Sequence, residues 1–270
     1  MKNVRSISRA IRILEAFGEG SSFSVTEISK KLKLPKSSVY EILSTLTEEG
    51  VMEKVSNQYH LGLKLLELGY TVRHNLELSR VSPPLLKRLN ESLDETVQLT
   101  ILNGDEVLYL EGFESSKQLR TFFALGDRAF LHCTAVGKAI LAFLPGSEIE
   151  RIIAGKGLKK YTSNTLVDKE RLLEDLRATV ARGYSIDNME HEEGVRCVAA
   201  PIRNREGRVI ASVSVSGPAN RIMPERDAEI AEQVIKTAGE ISRRLGYQPG
   251  TIETLNGPRP FHILYKEDSR

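Results

Sequence analysis

No stretch of these 270 residues approaches the roughly 20 apolar positions that a bilayer-crossing helix needs. The start, Met1-Lys2-Asn3-Val4-Arg5, lacks the apolar core of a secretory signal, so a soluble cytoplasmic protein is expected, with no membrane partner. Cysteine is scarce: Cys133 and Cys197 are the only two. They have the numbers for one bridge, but free thiols in a reducing compartment fit better, and a disulfide framework is excluded. Charge of one sign is also lacking. With 38 basic against 36 acidic residues and a net charge of +2, any contact with nucleic acid must come from local placement and not from a bulk basic field. P-loop, zincin and dinucleotide-binding patterns are missing, as are internal repeats and low-complexity tracts.

What is present suffices for two folded units, at roughly 150 residues per domain and 40% apolar composition. Ile7, Ala10, Ile11, Leu14 and Phe17 recur at helical spacing before Gly18 and Gly20 stop the helix. Ser24 with Glu27 three positions on reads as a capping box opening a short second helix that ends near Lys33. After Leu34-Pro35, a third helix over 36–49 places Val39, Ile42, Leu43 and Leu46 on a core stripe. Two short strands, 51–55 and 58–61, turn at Ser56-Asn57. Three helices and a hairpin make a winged-helix pattern. A connecting helix from Leu63 is predicted to run to about Val81, with Pro83-Pro84 forcing the break.

The second half reads as α+β. Asn103-Gly104-Asp105 closes a hairpin between strands at 96–102 and 106–111. A helix around 133–143 ends at Pro145, and another, carrying Leu172, Leu173, Leu176 and Val180, ends at Gly183. Strands near 184–187, 197–202 and 209–216 complete an antiparallel sheet. A last helix, about Pro224 to Leu245, carries Ala228, Ala231, Val234, Ile235, Ala238, Ile241 and Leu245 along one side. Residues 251–270 show no element periodicity and receive no function.

In a helix-turn-helix the second helix enters the major groove by its N-terminal half. Here Lys36, Ser37, Ser38 and Tyr40 offer a cation, two hydroxyls and a phenol there, with Arg5, Arg9 and Lys54 as candidate backbone contacts. A protein-interaction module with a solvated polar face would show the same residues. In the second half, the small residues of Leu131 to Lys138 leave space at a helix start, where amides can meet an anion. Ser212, Ser214 and Ser216 alternate with Ala211, Val213 and Val215, as a pocket wall or a solvent-facing strand would. Asp187 is a candidate lining residue or a turn former. Cys133, Cys197, His132 and His191 lack compact ligand spacing, so no enzyme, metal or cofactor is expected.

Over residues 4 to 248 the chain resembles the IclR-type bacterial transcriptional regulators. The resemblance is carried by Ser24 to Gly50, by Tyr59-His60-Leu61-Gly62, by Leu131 to Pro145, and by the series from Arg182-Gly183-Tyr184 through Gly194-Val195-Arg196-Cys197 to Ser214-Val215-Ser216-Gly217-Pro218. It implies a winged helix-turn-helix over 1–62, a linker helix over 63–82, a GAF-like effector-binding domain over 83–248, and a tail over 249–270. The implied protein is a ligand-responsive regulator working on double-stranded operator DNA as a homodimer, or as a tetramer built from dimers. Its implied effector is a small organic acid or aromatic catabolite. Carried over by motif, the effector-binding positions are Ala135, Val136, Asp187, Val195, Cys197, Ser214 and Ser216. Members of that family often have a proline before the Leu-His pair. Phe130 stands there instead, so a changed pocket wall is expected.

Overall fold

A computed structural model describes residues 4–20 and 22–248; the expected tail, 249–270, lies outside the described residues. The chain parts into two compact units, Met1–His74 and Asn75–Arg270.

In the first unit, α1 (Arg5–Ala16) is followed by α2 (Val25–Leu32) and α3 (Lys36–Glu48). The capping box forms: Glu27 N donates to Ser24 Oγ at 3.3 Å, and Ser24 N donates to Glu27 Oε2 at 2.7 Å. Lys33, in the left-handed region at φ 53°, ends α2. The strands β1 (Met52–Val55) and β2 (Gln58–Leu61) pair antiparallel around a turn in which Ser56 has φ 57°. Ile13, Phe17, Ile28, Val39, Leu43, Met52 and Tyr59 form the core.

The buried stripe of α1 differs from the expected one. Ile7 and Ile11 are 58% and 51% exposed, whereas Ile13, Ala16 and Phe17 are buried. Apolar residues at 7, 10, 11, 13, 14 and 17 allow more than one helical stripe. The core takes the series 10, 13, 14, 17, and spacing alone does not choose between the two.

α4 (Lys64–Asn75) buries none of its residues. It ends earlier than expected, at Leu76, whose extended backbone (φ −77°, ψ 116°) lets its side chain enter the core of the second unit. A short α5 (Glu77–Val81) leads to α6 (Pro83–Leu93). Pro83 and Pro84 therefore open a helix, where a missing N–H costs nothing.

The remaining elements of the second unit are β3 (Thr96–Asn103), β4 (Glu106–Phe113), β5 (Arg128–Phe130), α7 (Ala135–Leu141), α8 (Gly146–Lys156), α9 (Lys169–Arg182), β6 (Ser185–Asn188), β7 (Val195–Arg203), β8 (Val209–Pro218) and α10 (Asp227–Arg244). The sheet runs β5-β4-β3-β8-β7-β6, antiparallel throughout. Neither β5 nor α8 is legible in the sequence. β5 is three residues long, and α8 begins directly after Pro145, the proline expected to end the preceding helix, which in fact ends at Leu141.

Helices α6 and α10 cover one face of this sheet, meeting Val97, Leu99, Ile101, Val198, Ala200, Val213 and Val215. In α10 the buried stripe is Ile230, Ala231, Val234, Ala238 and Ile241. Ala228 and Ile235, expected inside, are exposed because the sheet meets the helix a fraction of a turn away. α7 covers the other face, with α9 beside it.

Candidate functional site

In the first unit the recognition-helix candidates split into exposed and engaged groups. Lys36, Ser37 and Tyr40 are exposed at the start of α3, Tyr40 by 54%. Ser38 is half-buried, and Arg9 Nη1 donates to its Oγ at 3.2 Å, tying α1 to α3. That bond leaves the Ser38 hydroxyl hydrogen free to donate. Lys54 is exposed on β1 with its ammonium 5.5 Å from the Tyr59 ring centroid, and Arg5 is exposed at the first position of α1.

In the second unit, strand register builds a buried polar surface on the α7 face. Asp187 pairs with Cys197, Cys197 with Ser216, and Ser216 with Thr96 across β6, β7, β8 and β3; beside that row run Ala199, Ser214 and Gln98. Ser212, Ser214 and Ser216 are buried, which removes the solvent-facing reading of that strand. Ser214 Oγ and Ser216 Oγ both lie 3.3 Å from Gln98 Oε1, and Ser216 Oγ lies 2.9 Å from Cys197 Sγ.

α7 is pinned onto this surface. Ser185 Oγ donates to Ala135 O at 2.6 Å and Ser212 Oγ to Val136 O at 2.9 Å. Thr134 Oγ1 accepts from Gly137 N at 3.1 Å and donates to Phe130 O at 2.7 Å. The cap thereby occupies one of the helix-start amides offered to an anion in the sequence reading. At Gly137 a Cβ would lie 2.4 Å from Phe130 O and 2.6 Å from Leu131 Cα, so only glycine permits the approach.

Between α7, the polar surface and the segment 121–129 lies a cavity of about 200 Å³. Ala135 and Val136 reach it from α7, Asp187 from β6, Val195 and Cys197 from β7, and Ser214 and Ser216 from β8. All seven effector-site candidates therefore meet at one cavity. Gln98, Tyr109, Phe122 and Phe123 also line it, and sequence reading missed them. Gln98 is identifiable only from its register against Ser214, and the two phenylalanines sit in a segment without periodicity. Phe130 does not line the cavity. Its ring faces Tyr161 at 5.3 Å and His132 at 5.9 Å, so a residue before the Leu-His pair points away from this wall.

The electrostatics of this region are set by burial. Burial pushes the Asp187 carboxyl up to about 7, against the N–H groups of Glu190 and His191 and the charge of Lys138. Glu190 N donates to Asp187 Oδ1 at 2.7 Å. Lys138, on α7, is 1% exposed, with Glu190 Oε1 at 2.5 Å and Asp175 Oδ2 at 2.8 Å. Burial alone would lower its pKa, but those two carboxylates hold it above the ordinary lysine value. Burial pushes the Cys133 thiol up to about 12 and raises Cys197 also, leaving both protonated and poor nucleophiles at neutral pH.

Residues 70–243 match the family described as bacterial transcriptional regulator IclR, C-terminal, and residues 6–56 match the IclR helix-turn-helix domain. The chain is 38% identical over 241 residues to the HTH-type transcriptional regulator BhcR of Paracoccus denitrificans, covering 88% of this chain and 86% of that one. Its fold is similar to the crystal structure of the Thermotoga maritima IclR, with a TM-score of 0.75 at 32% identity over 91% of this chain and 100% of that one. It is also similar to an IclR homologue from Microbacterium hydrocarbonoxydans solved with 4-hydroxybenzoate. There the TM-score is 0.78 at 24% identity, over 89% of this chain and 98% of that one.

Proposed function

Because this chain belongs to the IclR family of bacterial transcriptional regulators, we propose that it is a ligand-responsive regulator whose operator affinity changes when a small organic acid enters the cavity beneath α7. The observation that carries this reading is the convergence of Ala135, Val136, Asp187, Val195, Cys197, Ser214 and Ser216 on one cavity. Cavities for drug-sized ligands run from about 300 to 1,000 Å³. The smaller volume here, with Tyr109, Phe122 and Phe123 on its wall, suits a short aliphatic acid or a single aromatic ring. The Microbacterium homologue, holding 4-hydroxybenzoate, supports the second class.

In this reading residues 1–62 bind DNA, 63–82 link, and 83–248 sense. Lys36, Ser37, Ser38 and Tyr40 enter the major groove, while Arg5, Arg9 and Lys54 meet phosphates. A homodimer, or a tetramer built from dimers, presents paired α3 helices to a pseudo-palindromic operator in the cytoplasm. No helix among the described residues is long and apolar enough to cross a membrane.

The test is a thermal-shift screen of small aliphatic and aromatic acids paired with operator binding by fluorescence anisotropy. An effector that prefers one state changes operator affinity about 5- to 150-fold. A stabilising acid that leaves operator affinity unchanged defeats the switch.

A further inference from the structure

The cavity wall is acidic. Asp127, Asp187 and Glu192 line it, and among its described lining residues Arg128 is the one permanent cation. Arg128 is directed elsewhere, to Glu106 Oε2 at 3.4 Å and to Asn103 O at 3.3 Å. The buried Lys138, whose charge acts on Asp187, is held by Glu190 and Asp175. A carboxylate entering this space meets the carboxyl of Asp187, which is 3% exposed, and among the described lining residues the one permanent cation is bonded to Glu106 and Asn103 instead. Two carboxylates sharing one site disfavour each other's charge, so that one of them tends to keep a proton.

We infer that a carboxylate effector binds this cavity together with a proton held between its own carboxylate and Asp187, so that affinity falls as pH rises above neutrality. The inference rests on the cavity being the effector site. At low pH the neutral Asp187 donates its O–H to the incoming anion; at high pH the same complex forms only by taking a proton from solvent.

Of the groups around Asp187, Glu190 in the loop after β6 is also pushed up by burial while its Oε1 is bonded to Lys138, so the Asp187→Asn comparison assigns the titration between the two carboxyls. Tyr109 from β4, Cys197 from β7 and Cys133 before α7 are all kept neutral by burial. His191 is pulled below the ordinary histidine value by burial, and Lys138 from α7 remains charged against Glu190. The raised value of Asp187 agrees with a carboxyl poised near neutrality.

The experiment uses the full chain and 4-hydroxybenzoate as probe, with isothermal calorimetry at pH 6 and pH 8 in buffers of different ionisation enthalpy. Affinity is expected to fall about tenfold between the two, with nearly one proton taken up at pH 8. Asp187→Asn keeps a donor and removes the proton, so its binding is expected to be flat with pH. Equal affinity at both pH values without proton uptake overturns the proposal while leaving the effector site standing. Binding undiminished in Ser214→Phe, which fills the cavity, overturns the site itself. If the probe does not bind at either pH, a ¹³C-carboxyl titration assigned through Asp187→Asn decides. A midpoint near neutrality supports the proposal, and one in the ordinary carboxylate range overturns it.

Discussion

Ser214 lies directly opposite Gln98 across β8 and β3, its hydroxyl 3.3 Å from the Gln98 side-chain oxygen, on the floor of the cavity beneath α7. Both side chains are buried, so a ring in place of the hydroxyl has nowhere to go but into the cavity. Ser214→Phe should therefore abolish the effector response while leaving operator affinity in the absence of effector unchanged. Overpacking should cost about 1–3 kcal/mol of stability. Operator binding titrated with and without effector checks this, and a preserved response would move the site elsewhere.

At the DNA-reading end, Ser37 and Ser38 are not equivalent. Ser37 is exposed, and Ser37→Ala should weaken specific operator binding by about 1–3 kcal/mol with little effect on nonspecific DNA, as for loss of a base contact. Ser38→Ala also removes the acceptor of Arg9, so it should weaken both kinds of DNA binding. Anisotropy on operator and scrambled duplexes separates the two. Equal losses on both DNAs for Ser37→Ala would make it a phosphate contact.

Most of the elements and the cavity candidates were legible because their signals are local. A capping box, an Asn-Gly turn and alternating serines each declare themselves within a few residues. What escaped depends on partners distant in sequence. Gln98 joins the cavity wall only through its register with Ser214, and Lys138 is tied to the loop after β6 only through Glu190, 52 residues away. The stripe of α1 was misplaced because two apolar series satisfy one period and only packing selects between them. The break at Leu76 carries no glycine or proline, and a buried side chain, not a backbone signal, makes it.

Gly137 sets how closely α7 approaches the strand before it. With a Cβ only 2.4 Å from the Phe130 carbonyl, Gly137→Ala forces α7 outward. A loss of about 1–3 kcal/mol is expected, together with weakened effector binding because Ala135 and Val136 move with the helix. Chemical denaturation and calorimetry measure the two effects, and a neutral outcome in both would mean that the helix start yields freely.

Asp187 makes stability depend on pH with a defined sign. Its folded value, about 7, lies above the ordinary aspartate value near 4. The folded state thus holds the proton more tightly than the unfolded one. Stability falls as pH rises from about 4 to about 7 and levels off beyond, by at most on the order of 4 kcal/mol. Asp187→Asn should flatten that slope in denaturant midpoints measured from pH 4 to 8. An unchanged slope would assign it to other groups.

Lys138 joins α7 to the loop after β6 and to α9 through Glu190 and Asp175. The two carboxylates differ in their alternatives. Asp175 is 25% exposed and has Arg182 at 3.5 Å, whereas the Glu190 side chain is 7% exposed and depends on Lys138. Lys138→Met therefore leaves one buried charge uncompensated, and a loss of about 3–5 kcal/mol is expected. Adding Glu190→Gln removes that orphaned charge, so the double variant should be more stable than Lys138→Met alone. Strictly additive losses in the double-mutant cycle would show that the 2.5 Å pair contributes no coupling.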